Sequence, residues 1–168
     1  VVLEITNYNL YILKIFGFIL LFSSNLYLAK GFFNLVEKKN FSDFTFLYLI
    51  TIFSFAGTLS YYYLWLPTPS YNLYNLVGIL FFFGGIIRIW ESIDIKYNIQ
   101  ITFIIILAGF LSFISKVPSV LLLFFLFFFF VVFLSKLKIS NKLILTFFSF
   151  VLSFTLIFFF IKYFYQSY

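Results

Sequence analysis

The sequence contains no cysteine, no histidine and no methionine. Disulfides, cysteine-ligated zinc or iron–sulfur sites and haem ligation by His or Met are therefore closed to this chain. No cofactor is expected in it, and any redox centre it works with has to be held by another subunit. Charge is scarce as well: 10% of the 168 residues are Asp, Glu, Lys or Arg, against roughly 25% in a soluble domain. So little polar surface cannot coat a globule, and in water the apolar exterior would aggregate. No Gly-rich nucleotide loop, no carboxylate pair at catalytic spacing, no fixed-period repeat and no signal peptide with a cleavage site is visible. The chain begins at Val1, which fits a processed chain, a non-standard start codon or a gene fragment.

What is present is apolar and aromatic. Hydrophobic residues make up 64% of the chain and aromatic ones 27%, with 31 Phe and 13 Tyr. Phe, Tyr, Ile, Asn and Lys are mostly encoded by AT-rich codons. Such a bias is expected of an AT-rich organellar genome, which retains mainly very hydrophobic respiratory subunits.

Six apolar segments can be read against the ~20 residues a membrane span needs. They cover about 8–29, 44–66, 71–89, 99–117, 119–135 and 143–161. A polar loop with Glu37, Lys38, Lys39, Asn40 and Asp43 follows the first, and Pro67 and Pro69 turn the chain after the second. Trp90 and Tyr97 suit the aromatic belt at the next interface. From Ile99 to Ser135 an unbroken helix would be roughly 55 Å long, against a core of ~30 Å. Pro118 supplies the break there, giving either two spans or one broken helix near Lys116–Pro118. The expected fold is all-α, a polytopic transmembrane bundle of about six spans in a single domain, 1–168.

The basic excess, 11 Lys and Arg against 5 Asp and Glu, sits at span ends, where it sets orientation. No nucleic-acid partner is expected. With six spans, one side collects Lys30, Lys38, Lys39, Arg88, Lys96, Lys136, Lys138 and Lys142. The other side has Lys116 and Lys162 near it. With five spans the asymmetry nearly disappears, so the positive-inside rule favours six, both termini on the less basic side.

A few polar residues lie inside the apolar runs. Lys116 falls within the 99–135 stretch, where a central lysine costs about 2.5–3.5 kcal/mol. It is either a proton-relay lysine facing a hydrated path or an interfacial lysine snorkelling from a tight turn. Lys14 reads first as a snorkelling lysine and second as a proton carrier. Arg88 and Glu91, three residues apart on one helical face, can pair. Asn25 with Ser23 and Ser24 can bond to a neighbouring helix, and Gly78, Gly84 and Gly85 can let helices approach closely.

The stretch from Glu91 to Gln100, then ITFIIILAGFLSFISK ending at Lys116, resembles the antiporter-like membrane-arm subunits of respiratory complex I. It is most similar to NADH–ubiquinone oxidoreductase chain 2. That family has an acidic–basic loop, then a helix with Leu-Ala-Gly-x-Pro-Pro, then Gly-Phe-x-x-Lys. Leu107-Ala108-Gly109 and Phe113-Ile114-Ser115-Lys116 stand in for the last two pieces. Upstream, Asn25-Leu26-Tyr27-Leu28-Ala29 and Lys38-Lys39 resemble another family segment. The family's Pro-Pro pair and its earlier helices, with a buried glutamate and further central lysines, are missing. The resemblance implies the C-terminal part of a divided or truncated subunit. It would couple quinone reduction to proton translocation, with Lys116 as candidate proton carrier. Its implied partners are other membrane subunits of a large respiratory complex, a separate chain carrying the N-terminal half, and lipids. Two other readings stand beside it: the proton-channel subunit of a rotary ATP synthase, with Arg88 as its arginine, and a structural membrane subunit with no chemistry of its own.

Overall fold

A computed structural model describes residues 10–37, 44–65 and 71–166. The expected span start at Tyr8, the loop at 38–43, the Pro67–Pro69 turn and the residues at both termini lie outside them. The described chain forms six α-helices and no strand: α1 (Leu10–Glu37), α2 (Phe44–Trp65), α3 (Tyr71–Glu91), α4 (Ile95–Ser115), α5 (Val117–Phe129, extended by a π-helical turn over Phe130–Leu134) and α6 (Ile139–Gln166). Helices are what lipid demands, because each backbone N–H and C=O must be bonded within its own segment. Four of them, α1, α3, α4 and α6, are long and apolar enough to cross a membrane. Two shorter apolar stretches, Thr45–Ser60 and Pro118–Leu134, lie in α2 and α5; the second is at the lower end of the ~17–25 residues a span takes. This is a membrane protein built as a helical bundle.

Several helices outrun the apolar segments that predict them. α1 continues past Lys30 to Glu37, because nothing between them breaks a helix. α4 starts at Ile95, not Ile99, because Asp94 caps it: the carboxylate accepts a hydrogen bond from Lys96 N at 3.0 Å. A side-chain acceptor here satisfies one of the orphan donors of the first turn.

α3 is the most enclosed span, 44% buried, and α6 the least, 11%. α1 runs parallel to α3 on one side and α4 runs antiparallel on the other. Glycine makes both crossings close. A Cβ on Gly78 would strike Ser112 Oγ and lie 2.6 Å from the Ala108 carbonyl of α4. On Gly84 it would lie 3.1 Å from Leu28 Cα of α1, and on Gly85 2.5 Å from Ile105 Cγ1. Small residues are the membrane's route to dense packing, since lipid supplies no hydrophobic drive between helices. α2 packs outside α1, around Leu21, Leu73 and Val77 with Phe55 and Leu59. The larger core joins Phe82, Ile86 and Ile89 of α3 to Ile101 and Ile105 of α4, Leu123 and Phe127 of α5, and Leu145 of α6.

The long apolar run at 99–135 is two helices. Lys116 stands between them in extended geometry (φ −150°, ψ 105°), and Pro118 occupies the first turn of α5, where a missing N–H costs nothing. α5 then returns along α4. Val120 lies beside Gly109, and Phe130 meets Trp90 edge-on at 5.5 Å near the opposite end.

The end of α5 shows how orphan carbonyls are satisfied near lipid. Phe130 O accepts from Ser135 N at 3.0 Å, Val131 O from Ser135 Oγ at 2.5 Å, and Val132 O from Lys142 Nζ at 2.8 Å. Outside the packed seams, the surface is apolar and aromatic, with Phe147 72% exposed on α6. In lipid that is the ordinary surface of a span.

The glycine crossings predict opposite effects for two substitutions. Gly78→Val should destabilise the bundle by about 1–3 kcal/mol through overpacking. Gly57→Ala meets nothing within 4 Å and should be neutral or stabilising by up to ~1 kcal/mol. Thermal unfolding in detergent micelles, followed by circular dichroism, measures both.

Candidate functional site

Lys116 is exposed, at the turn between α4 and α5. Its depth follows from the end of α4 at Ser115. The helix has 21 residues, and at ~1.5 Å per residue it rises about 32 Å, the thickness of a ~30 Å core. Lys116 therefore lies at one end of the bundle, not midway through it. Its backbone N donates to Ser112 O at 2.7 Å, and Ser115 Oγ donates to Leu111 O at 2.7 Å. Lys14, also exposed, is in the second turn of α1, toward the same end.

Arg88 is half-buried in the last turn of α3. Its guanidinium carbon lies 3.6 Å from the centroid of the Tyr27 ring, and Nη2 donates to Tyr27 O at 3.1 Å. A guanidinium over an aromatic face is worth ~0.5–2 kcal/mol, more as water is excluded. Arg88 thus fastens α3 to α1, reaching 61 residues back along the sequence. The side chain of Glu91, its expected partner, lies outside the described residues.

Asn25 of α1 is fully buried. Its Nδ2 donates to Leu21 O at 2.8 Å and to Thr58 Oγ1 at 2.9 Å, while its Oδ1 accepts from Ser54 Oγ at 2.5 Å. The amide is shared between its own helix and α2, where Ser54 and Thr58 stand one turn apart. Sequence reasoning singled out Asn25 but missed this pair. Two hydroxyls four residues apart on an apolar helix were the available signal.

The α3–α4 seam carries a third set. Ser112 and Asn98 are fully buried, and Ser112 Oγ and Asn98 Oδ1 have no hydrogen-bond partner among the described residues. Asn98 Nδ2 donates to Ser92 O at 3.2 Å, and Thr102 Oγ1 donates to Asn98 O at 2.8 Å. Between Thr102 and Ser112 the buried wall is Ile105, Ile106 and Ala108, about 15 Å along the helix. The polar groups of α4 are therefore two islands, one at each end.

A cleft of about 200 Å³ opens between α4, α5 and α6. Its walls are apolar, among them Phe113, Phe124 and Phe154, with hydroxyls only at Ser149 and Ser153. No ionisable side chain lines it. Among the described residues no group of three or more His, Cys, Asp or Glu is placed to hold a metal ion.

No family model, no curated protein and no solved structure matches this chain.

The Asn25 node gives a measurable stability effect. Asn25→Leu should weaken the α1–α2 contact by ~0.6–1.7 kcal/mol, the range for interhelical hydrogen bonds in membranes. Ser54→Ala combined with Thr58→Ala should cost about as much, and all three changes together little more, because they break the same bonds. Unfolding of the single, double and triple variants in micelles tests this non-additivity.

Proposed function

We propose that the chain is a membrane-arm subunit of mitochondrial respiratory complex I, similar to the C-terminal part of chain 2, located in the mitochondrial inner membrane. The observation that carries the reading is the α4 segment. The residues that resemble the family, from Leu107-Ala108-Gly109 to Lys116, form the second half of one helix. Its lysine stands at the break that follows, next to a proline-started helix. In this role the chain binds no flavin or iron–sulfur cluster and works as one part of a proton-translocating assembly.

Lys116 is the proposed proton carrier, acting at the membrane face. A lysine ammonium exchanges protons where its charged form is destabilised, and a neighbouring subunit covering this end would supply that environment. The apolar wall of ~15 Å between Ser112 and Thr102 leaves the rest of the crossing to water or to other subunits. Lys14, toward the same end, is a secondary candidate.

One observation favours a second reading. Lys116, exposed at a tight turn, has the geometry of an interfacial anchor, which fits a structural subunit that fills the membrane arm without chemistry. The rotary-synthase reading gains less, since its arginine would have to face a rotor ring and Arg88 lies against Tyr27.

Lys116→Gln separates the first two. Measured in membranes as NADH-driven proton uptake alongside NADH oxidation, it should lower protons moved per NADH at least severalfold while the assembled complex persists. Unchanged pumping by an assembled complex would leave only the structural role.

A further inference from the structure

One end of the bundle carries more basic residues than the other. Consecutive helices alternate in direction, so the ends of α1, α3 and α5 share one end with the starts of α2, α4 and α6. Among the described residues that end carries Lys30, Arg88, Lys96, Lys136, Lys138 and Lys142, with the acids Glu37, Glu91 and Asp94; the opposite end carries Lys14, Lys116 and Lys162. The charges at the basic end are not equivalent. Arg88 is held on Tyr27, and Lys142 Nζ is held by Val132 O. Lys136 and Lys138 are aimed outward by the connection itself. Ser135 and Leu137 alternate with them and are buried, 6% and 5% exposed, so the two lysines have to stand on the outer side.

Apolar surface begins directly beneath them. Phe133 and Ile139, one on each side of the connection, are 67% and 78% exposed. Trp90 is packed against Phe130 at the same end, an amphipathic ring suited to headgroup depth. Asp94 is the one acid whose side chain is described at this end, and its carboxylate already caps Lys96 N. Paired outward lysines over an uncovered aromatic and aliphatic face match one chemistry: a phosphate headgroup above acyl chains.

We propose that the α5–α6 connection is a binding site for anionic phospholipid, with Lys136 and Lys138 donating to the phosphate and Phe133 and Ile139 packing on the acyl chains. Lys96 adds to the local positive field. The site is independent of the respiratory reading.

The test uses the full chain in bilayers of phosphatidylcholine mixed with phosphatidylglycerol, followed by native mass spectrometry of the lipids retained on release. The wild type should retain phosphatidylglycerol in preference to phosphatidylcholine. Lys136→Gln with Lys138→Gln should reduce that retention by about fivefold per lysine and leave phosphatidylcholine unchanged. Lys14→Gln with Lys162→Gln, at the opposite end, should retain as the wild type does. Circular dichroism checks that each variant keeps its helix content. Equal retention by the wild type and the Lys136/Lys138 variant would overturn the site. So would an equal loss in the Lys14/Lys162 variant, or a co-purifying acidic protein accounting for the charge dependence.

Discussion

The bundle depends on how thin α3 is where it crosses its neighbours. Gly84 allows α3 to sit against the backbone of α1 at Leu28, and Gly78 allows it to sit against Ala108 and Ser112 of α4. In lipid, burying a leucine against another helix gains little over burying it in acyl chains, so close van der Waals fit has to hold the helices. The other inter-helix fastenings depend on this spacing. Arg88 reaches the ring and carbonyl of Tyr27 because α1 is so near, and the α3–α4–α5 core closes on the far side of the same helix.

Around that centre, polar groups are used to join helices or to end them. Asn25 is divided between α1 and α2, so each of its bonds holds either a helix or a pair of helices. Ser135 and Lys142 close the exposed end of α5, which would otherwise leave carbonyls facing the interface unpaired. Unsatisfied backbone in hydrocarbon costs several kcal/mol, so an apolar helix as short as α5 needs such an ending. The lysines beside it, Lys136 and Lys138, are exposed.

Much of the architecture was legible in the sequence because hydropathy and length decide it. The six apolar runs, the break near Pro118 and the usefulness of Gly78, Gly84 and Gly85 could all be read from composition and spacing. The helix ends could not, because they depend on capping: Asp94 starts α4 four residues earlier than apolarity alone suggests. The break decides the place of Lys116, which looks deep as the middle of an unbroken 99–135 run and lies at one end of the bundle once α4 ends at Ser115. Partners across the chain were the least legible. Arg88 suggests Glu91 by local spacing, and the contact described for it is with Tyr27 on α1. Asn25 announces a bond to a neighbour, but only the fold selects Ser54 and Thr58.

The proposed role rests on a helix–break–lysine segment that resembles a complex I subunit, in a helix, α4, whose buried polar groups lie toward its two ends. In that role the chain would work within a larger assembly, where neighbouring subunits would supply the remaining path and cover the end that carries Lys116. The central claim is membership of that assembly. The most direct measurement is mass spectrometry of native-gel bands from the source membranes, stained in-gel for NADH dehydrogenase and for ATPase. The account predicts peptides of this chain in the NADH-active band; peptides in the ATPase band instead, or in neither, would contradict it.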